Sequence, residues 1–267
     1  MLFEIALGVL GAMVVIMVCA WAYGGARENG GWTDVFWSWG TGATLAAAAL
    51  CPIPGATPTM RQWLVAGLMA VWGLRLGLYI TPRVMTHPED ARYAAFRVTW
   101  GKRYGLNMLF VTLPQAPATA LLSLSVILAA RRPDPGLDLR DALGVAVFLV
   151  AIVGEYLSDN QMKAFRGDPA NRGRVMDRGL WAWSRHPNYF FQWLGWVAYP
   201  VIALDPARPV TWLSLAAPAV MYGLLRYVSG VPPLEEAMVK TRGDLFRSYQ
   251  GRVSAFFPLP PKRVPSA

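Results

Sequence analysis

The chain has 267 residues, 55% of them hydrophobic and only 15% charged, and its mean hydropathy is +0.33. This composition excludes an ordinary soluble enzyme and predicts a single all-α membrane domain over residues 1–267, with about seven transmembrane helices. The net charge of +9 gathers in a few stretches, so we expect it to set membrane orientation rather than to bind nucleic acid.

Seven apolar segments are each close to the roughly 20 residues that cross a bilayer as a helix. The first is too long for a signal peptide and lacks a basic leader and a small-residue cleavage site, so we expect a retained span. The segments lie at about residues 2–23, 32–54, 60–83, 107–130, 140–158, 187–205 and 211–230.

Lysine and arginine cluster in three stretches that seven spans would place on one side of the membrane. These stretches are residues 83–103, 163–185 and 240–263. Because basic loops remain in the cytoplasm, the pattern predicts an external N-terminus and a cytoplasmic C-terminus. The opposite loops hold few basic residues, namely Arg61, Arg131, Arg132, Arg140 and Arg208.

Polar side chains inside the early spans are candidates for chemistry because they are costly in a bilayer. Arg75 has Tyr79 one turn later on the same helix face, and we expect the pair to face an acid or an anionic ligand. Asp34, at the start of the second span, is either a functional acid or a carboxylate that the helix dipole favours.

The end of the fifth span carries acids that are followed by arginines. Glu155 and Asp159 are four residues apart and share a helix face. Guanidinium groups suit phosphates, and we favour ligand contact for Arg166, Arg174 and Arg185. Other basic residues here are expected to orient the protein and contact anionic lipid: Lys163, Arg172 and Arg178.

Several common motifs are absent from the sequence. There is no GxGxxG after a strand, no GxxxxGK[ST], no HExxH and no CxxC. With His87 and His186 as its only histidines, the chain is not expected to build a metal site. We interpret His186 as a hydrogen-bonding residue that positions its loop. The connection at residues 89–105 either folds over a cofactor or lies on the lipid.

The motif SRHPNYF at residues 184–190, with GLW at residues 179–181, resembles the membrane steroid 5-alpha-reductase family. The resemblance is closer to the bacterial DUF1295 relatives of that family, and WGLRLGLY and EDARY extend it upstream over most of the chain. The remaining supporting residues are Ser158-Asp159, Arg166, Asn188-Tyr189, Tyr249 and Phe256-Phe257-Pro258.

The resemblance implies a seven-span enzyme of the bacterial inner membrane that binds NADPH from the cytoplasm. Such an enzyme reduces a conjugated C=C bond of a lipophilic enone, a substrate that enters from the bilayer. It places the cofactor-binding half at about residues 140–260. The candidate catalytic residues are Asp34, Arg75 and Tyr79. The candidate cofactor-binding residues are Glu155, Asp159, Arg166, Arg174, Arg185, His186, Asn188, Tyr189 and Tyr249.

The sequence departs from the reductase pattern at positions that matter for chemistry. Trp72 stands where the reductases carry a tyrosine in the third span, and it cannot donate a phenolic proton. Gln192 stands where they carry a glutamate shortly after the asparagine, and their second-span glutamate has no counterpart unless Asp34 serves. The resemblance therefore identifies the cofactor more closely than the substrate, and a steroid substrate does not follow from it.

Two alternatives to the reductase remain open. Isoprenylcysteine-type methyltransferases of membranes share the RHPNY element and place paired glutamates after the last span, as Glu235 and Glu236 do here. They would bring S-adenosylmethionine in place of NADPH. The second alternative is a noncatalytic lipid-binding protein whose basic stretches contact only anionic headgroups.

Overall fold

The computed structural model describes residues 1–52, 55, 57–134 and 136–262. These residues form helices and turns and contain no β-strand, so the predicted all-α fold is confirmed over this part of the chain. An isolated bridge joins Ser184 to Ser254. Residues 53–54 of the predicted second span and Arg263 of the last basic stretch lie outside the described residues.

Eleven α-helices occur in the described residues. They are α1 (Leu2–Ala26), α2 (Trp32–Leu50), α3 (Met60–Thr86), α4 (Ala91–Trp100), α5 (Tyr104–Thr112), α6 (Gln115–Ala130), α7 (Leu139–Gly167), α8 (Pro187–Ala203), α9 (Ala216–Gly223), α10 (Val231–Arg242) and α11 (Asp244–Arg252). Short 3-10 turns occur at Gly101–Arg103, Pro169–Asn171, Gly179–Ala182 and Pro209–Leu215, and a π-helical turn at Leu224–Val228.

Four helical stretches are long and apolar enough to cross a membrane, as an integral membrane protein requires. They are Leu2–Ala26, Met60–Thr86, Ala91–Ala130 and Leu139–Gly167, and each overlaps a predicted span. Helices α2 and α8 also lie where spans are predicted. The last predicted span, at 211–230, changes from 3-10 to α and then to π geometry. The total of seven spans and the orientation stay predictions.

The described chain separates into two compact units, and α7, α8 and α9 each contribute residues to both. Unit 1 consists of Met1–Leu143 and Tyr199–Ala217, and unit 2 consists of Gly144–Ala198 and Pro218–Ala267. The cofactor-binding half at about residues 140–260 overlaps unit 2, whereas Asp34, Arg75 and Tyr79 belong to unit 1. The organisation of residues 1–267 as one domain stays a prediction.

In unit 1, α2 packs closely on α3 because both helices present glycine at their crossing. A Cβ atom added at Gly42 would lie 2.7 Å from the Cα of Gly73. Hydroxyl groups join α2 to the α5–α6 stretch, with Thr33 Oγ1 at 3.4 Å from Thr112 Oγ1 and Trp37 Nε1 donating to Thr119 Oγ1 at 3.1 Å. Small residues and side-chain hydrogen bonds are the usual means of helix association in lipid.

A buried ionic network links the start of α3, the end of α6 and the start of α7 in unit 1. Asp141 accepts hydrogen bonds from Arg61 Nε at 2.9 Å and from Arg132 Nη2 at 2.9 Å. The three side chains are only 2–3% exposed, so their charges need partners within the protein, and Arg132 also pairs with Asp138 at 2.6 Å and with Asp134 at 3.0 Å.

In unit 2, an aromatic cluster joins α8, α9 and the segment after α11. Trp193 and Tyr222 contact Phe256 edge to face, with ring centroids 6.1 and 5.2 Å apart. Phe190 and Phe257 complete the cluster, with their centroids 6.0 Å apart. Edge-to-face packing stabilises aromatic pairs beyond the area they bury. The cluster therefore fixes the C-terminal segment beside the start of α8.

Candidate nucleotide site in unit 2

The turn that carries the RHPNY motif is held by backbone and hydroxyl contacts to the C-terminal segment. Ser184 Oγ donates to the carbonyl of Phe256 at 2.8 Å and accepts from the amide of His186 at 3.1 Å. The amide of Arg185 donates to the carbonyl of Ser254 at 2.8 Å. Pro187 then begins α8, a position where its fixed φ favours a helix and its missing N–H leaves no donor unpaired.

Glu235 of α10 is the centre of the contacts around this turn. Its carboxylate accepts from Arg185 Nε at 2.7 Å and Nη2 at 3.1 Å, from His186 Nε2 at 3.0 Å and from Gln250 Nε2 at 2.7 Å. Arg185 Nη1 donates to the carbonyls of Gln250 and Val253. Four of the five N–H donors of Arg185 are thus used within the protein, which makes it a residue that positions the turn.

Tyr249, another predicted cofactor residue, is buried and hydrogen-bonds to the segment just before the turn. Its hydroxyl donates to the carbonyl of Trp181 at 2.5 Å, and the side chain is buried. The indole of Trp181 in turn donates to the carbonyl of Ser158 on α7 at 3.1 Å. The structure therefore places Tyr249 in the support of the site, where it connects α11 with the end of α7.

Asp159 and Asn188 form the direct contact between the acidic end of α7 and the RHPNY turn. Asn188 Nδ2 donates to Asp159 Oδ1 at 3.3 Å. Asp159 and Glu155 are buried on α7, with 7% and 5% exposure. The ring of Tyr189 stacks on that of His186, with centroids 5.6 Å apart and planes 9° apart. The predicted residues Asp159, Asn188, His186 and Tyr189 are therefore brought together, although they come from two separate stretches of the sequence.

Arg166 and Arg174 lie at the surface of unit 2. Both are exposed, and neither side chain makes a hydrogen bond or ion pair with any residue in the described ranges. Arg166 lies 11 residues after Glu155 on the same helix, which is about three turns. Glu155, Asp159 and Arg166 therefore share one face of α7, whose buried acids lead to an exposed guanidinium group about 10 Å beyond Asp159.

The pKa values of Glu235 and His186 are both lowered, for different reasons. Burial raises the pKa of Glu235, but hydrogen bonds from His186, Arg185 and Gln250 outweigh it and lower the pKa to about 2. Burial lowers the pKa of His186 below its ordinary 6.5, and the hydrogen bond that His186 donates to Glu235 opposes this only in part. His186 is therefore neutral and Glu235 ionised at neutral pH.

These two pKa shifts predict that stability falls as the pH is lowered. Each folded-state pKa lies below its unfolded value, so the unfolded chain binds more protons between the two values. The contribution of His186 is present above pH 6.5 and is lost as the pH falls through the lowered pKa. That of Glu235 is present above pH 4.5 and is lost toward pH 2. Melting temperatures of the detergent-solubilised protein across this range measure the effect.

The two histidines of the chain supply a matched pair for this measurement. His186→Gln removes the buried imidazole and is expected to flatten the dependence of melting temperature on pH just below 6.5. His87→Gln removes an exposed imidazole and is expected to leave it unchanged. Equal slopes in the two variants would contradict the assignment to His186.

The candidate catalytic residues of unit 1 fall into two groups. Asp34 accepts from Arg92 Nη2 at 3.0 Å and from the hydroxyl of Tyr93 at 2.9 Å. The guanidinium of Arg75 lies 5.3 Å from the ring centroid of Tyr79. Asp34 therefore does more than begin a helix, and its partners belong to the EDARY motif. The sequence did not identify Arg92 and Tyr93 as partners of Asp34, because they lie 58 and 59 residues after it.

The connection at residues 89–105 folds onto the start of α2. Glu89 Oε1 accepts from the amide of Gly30 at 2.6 Å, and Arg97 donates to both carboxylate oxygens of Glu89. Arg97 also lies 4.1 Å from the ring centroid of Tyr104. These contacts settle the local placement of the connection, although its relation to a cofactor stays a prediction.

Cysteine and histidine supply no metal centre in the described part of the chain. No group of three or more histidine, cysteine, aspartate or glutamate side chains there could hold a metal ion. Cys19 and Cys51 are free thiols.

Comparisons with known proteins place the chain in a family. The uncharacterized protein C594.04c of Schizosaccharomyces pombe is 28% identical over 137 residues, covering 44% of this chain and 39% of that protein. The match thus spans about two fifths of the length of that relative. No solved structure matches the chain. A family model described as "Protein of unknown function (DUF1295)" matches residues 20–253. The chain belongs to the DUF1295 family.

Proposed function

We propose that this protein is an NADPH-dependent membrane reductase that acts on a C=C bond conjugated to a carbonyl group in a lipophilic substrate. The proposal includes seven spans, an external N-terminus and a nucleotide site that faces the cytoplasm of a bacterium. The clustering of basic residues at 83–103, 163–185 and 240–263 supports this orientation.

The shared face of α7 is the observation that carries the proposal. Buried Asp159, in contact with Asn188, offers a carboxylate and an amide for ribose hydroxyl groups. Arg166 follows on the same face with a guanidinium group that no described residue engages, as phosphate recognition requires. Arg174 adds a second exposed guanidinium group. The donor set fits a nucleotide with several phosphates better than it fits a small neutral ligand.

The turn around Glu235 would keep this site in one conformation. Because Glu235 fixes Arg185 and His186, Asn188 and Tyr189 begin α8 in a defined orientation. Bound NADPH would supply the hydride. Negative charge then develops on the carbonyl oxygen of the substrate, and a positioned cation or phenol stabilises it. Arg75 and Tyr79 are our candidates for this role, and the Asp34 group is the candidate for moving a proton.

Ligand-dependent thermal stability of the detergent-purified protein tests the proposal directly. NADPH at about 100 times its Kd is expected to stabilise the folded state by about 2.7 kcal/mol, since a ligand that binds only the folded state shifts unfolding by mass action. Arg166→Ala is expected to weaken NADPH binding roughly 10-fold to 100-fold, the usual loss of affinity when a hydrogen bond to a charged group is removed. NADH, S-adenosylmethionine and S-adenosylhomocysteine are measured in parallel.

Arg247→Ala is the matched control, since it removes one exposed positive charge elsewhere in unit 2. It is expected to leave NADPH binding unchanged at moderate salt. If Arg166→Ala and Arg247→Ala lose the same NADPH affinity, Arg166 contributes only through its general positive charge. If NADPH does not stabilise the protein, the reductase proposal is overturned. If none of the four ligands stabilises it, a noncatalytic lipid-binding protein is favoured.

One observation favours methyl transfer as the second candidate. The structure joins the RHPNY element to the paired-glutamate segment through Glu235, and the isoprenylcysteine-type methyltransferases share both elements. Stabilisation by the two adenosyl compounds without stabilisation by NADPH would select this candidate.

A further inference from the structure

We propose that the cleft between the end of α7 and residues 171–179 is the binding site for the adenine base of the nucleotide, with Phe165 and Arg178 as its stacking surfaces. The inference rests on the proposed function for the identity of that nucleotide. It adds a part of the site, because neither Phe165 nor Arg178 belongs to the residues assigned to cofactor binding above.

The cleft lies wholly within unit 2 and has a volume of about 380 Å³. This is within the roughly 300–1,000 Å³ of small-molecule sites. Its walls mix apolar, aromatic and polar groups, contributed by Gln161, Ala164, Phe165, Asn171, Met176, Arg178 and Gly179.

Two flat groups line the cleft in contact with each other, since the guanidinium of Arg178 lies over the ring of Phe165. The guanidinium of Arg178 lies 5.9 Å from the centroid of the Phe165 ring. Arg178 Nη2 donates to Asn171 Oδ1 at 3.1 Å, and Asn171 Nδ2 donates to the carbonyl of Phe165 at 3.1 Å. Asn171 thereby ties both stacking groups to one frame. Flat aromatic and guanidinium surfaces stack on nucleobases of any sequence.

Gln161 provides a directional polar group at the cleft. Its Oε1 accepts from the amide of Leu180 at 3.0 Å, which orients the side chain. Its Nε2 makes no hydrogen bond to the residues that the structure describes, so this donor is available for a ring nitrogen of a purine. Gly179 has φ +60°, and a Cβ there would meet Gln161 Oε1 at 2.7 Å, so glycine permits this close approach.

The charge around the cleft indicates a phosphorylated adenosine rather than an apolar ligand. Arg166 follows Phe165 directly, and Arg172 and Arg174 lie on the loop that forms the opposite wall. All three side chains are exposed and make no ion pair with a described residue. A base stacked on the Phe165–Arg178 pair would therefore have cations near it for phosphate groups. Adenosine is common to NADPH and S-adenosylmethionine, so the test must separate these sources.

The test measures Kd values by thermal shift for 2′,5′-ADP, NADPH, S-adenosylhomocysteine and reduced nicotinamide mononucleotide, which lacks adenosine. Phe165→Ala is expected to raise the Kd values of 2′,5′-ADP and NADPH roughly tenfold, because it removes one stacking surface. Phe165→Trp is expected to restore binding. Arg178→Lys keeps the charge, removes the planar surface and is expected to weaken both ligands at least threefold. Reduced nicotinamide mononucleotide is expected to bind all variants equally.

Tyr156→Ala is the matched control, since it removes an exposed aromatic ring from the same helix outside the cleft. Arg178→Lys changes an exposed side chain and leaves the Phe165 ring in place, so it provides a second variant. If NADPH binds wild type and both cleft variants equally, the base site is wrong although the reductase stands. If S-adenosylhomocysteine alone binds and the cleft variants weaken it, the base site stands and the reductase falls. If no adenosine compound binds wild type, the base site is overturned.

Discussion

Replacing Asp141 with alanine is expected to lower the free energy of unfolding in detergent by about 3–5 kcal/mol, the usual cost of leaving a buried charge without its partner. Asp141 is the acidic partner of Arg61 within the described residues, and it also pairs with Arg132, which keeps Asp134 and Asp138 as further partners. The side chains of Arg61, Arg132 and Asp141 are 2–3% exposed, so water cannot replace the lost carboxylate. The backbone amide of Asp138 also loses its acceptor, since it donates to Asp141 Oδ2 at 2.8 Å.

Chemical unfolding of the detergent-solubilised variants measures this loss. Glu4→Ala removes a carboxylate that is 81% exposed in the same unit, and we expect it to change stability by no more than about 0.5 kcal/mol. Asp141→Asn keeps the shape and part of the hydrogen bonding, so its loss is expected to lie between the two. A similar, small change in Asp141→Ala and Glu4→Ala would show that the network does not stabilise unit 1.

The network also marks a limit of prediction from sequence. Arg61, Arg132 and Arg140 are visible as basic residues of the less basic loops, and this is enough to count them for orientation. Their partners are not visible, because Arg61 meets Asp141 across 80 residues. Burial, which turns a loop charge into part of the core, follows from tertiary packing and has no local signal in the sequence.

The early helices were predictable because a bilayer-crossing helix needs a long apolar run, and such a run is a local property of the sequence. The predicted fifth span ended at residue 158, whereas α7 continues to Gly167. Hydropathy marks where the apolar run stops and does not mark where helical hydrogen bonding stops. The extra turns matter for the proposed function, since they carry Phe165 and Arg166.

The last predicted span shows the opposite limit. An apolar run at 211–230 predicted one helix, and the structure has a 3-10 turn from Pro209, α9 from Ala216 and a π-helical turn at Leu224–Val228. Pro209 at the start of the first turn supplies no amide donor, so it suits a beginning rather than the interior of a helix. Hydropathy does not report such changes of helix type.

The candidate site was predictable in its composition and not in its connections. The acids and arginines of residues 155–174 and the RHPNY motif stood out by residue type. Their roles depend on contacts between distant stretches, such as Asn188 with Asp159 across 29 residues. The same holds for Arg185, whose charge suggested phosphate contact and whose guanidinium group is taken up by Glu235 across 50 residues.

The paired glutamates of α10 allow the importance of this turn to be tested at adjacent positions. Glu235 has a side chain only 14% exposed and binds Arg185, His186 and Gln250. Glu236 is 68% exposed and contacts Lys240 at 2.6 Å. Both substitutions to alanine remove one carboxylate from the same helix turn, so they share their effect on net charge and helix propensity. Any difference between them therefore comes from the buried contacts.

Glu235→Ala is expected to lower the free energy of unfolding by about 3 kcal/mol, because the buried charge of Arg185 loses its partner, whereas Glu236→Ala is expected to change it by less than about 0.5 kcal/mol. The turn before α8 then loses the group that orients Arg185 and His186. If that orientation places Asn188 and Tyr189 for the nucleotide, Glu235→Ala must also weaken ligand-dependent stabilisation at temperatures where the variant is still folded. If Glu235→Ala loses stability but keeps its ligand affinity, Glu235 stabilises the fold and does not position the nucleotide. If Glu235→Ala and Glu236→Ala behave equally, Glu235 has neither role.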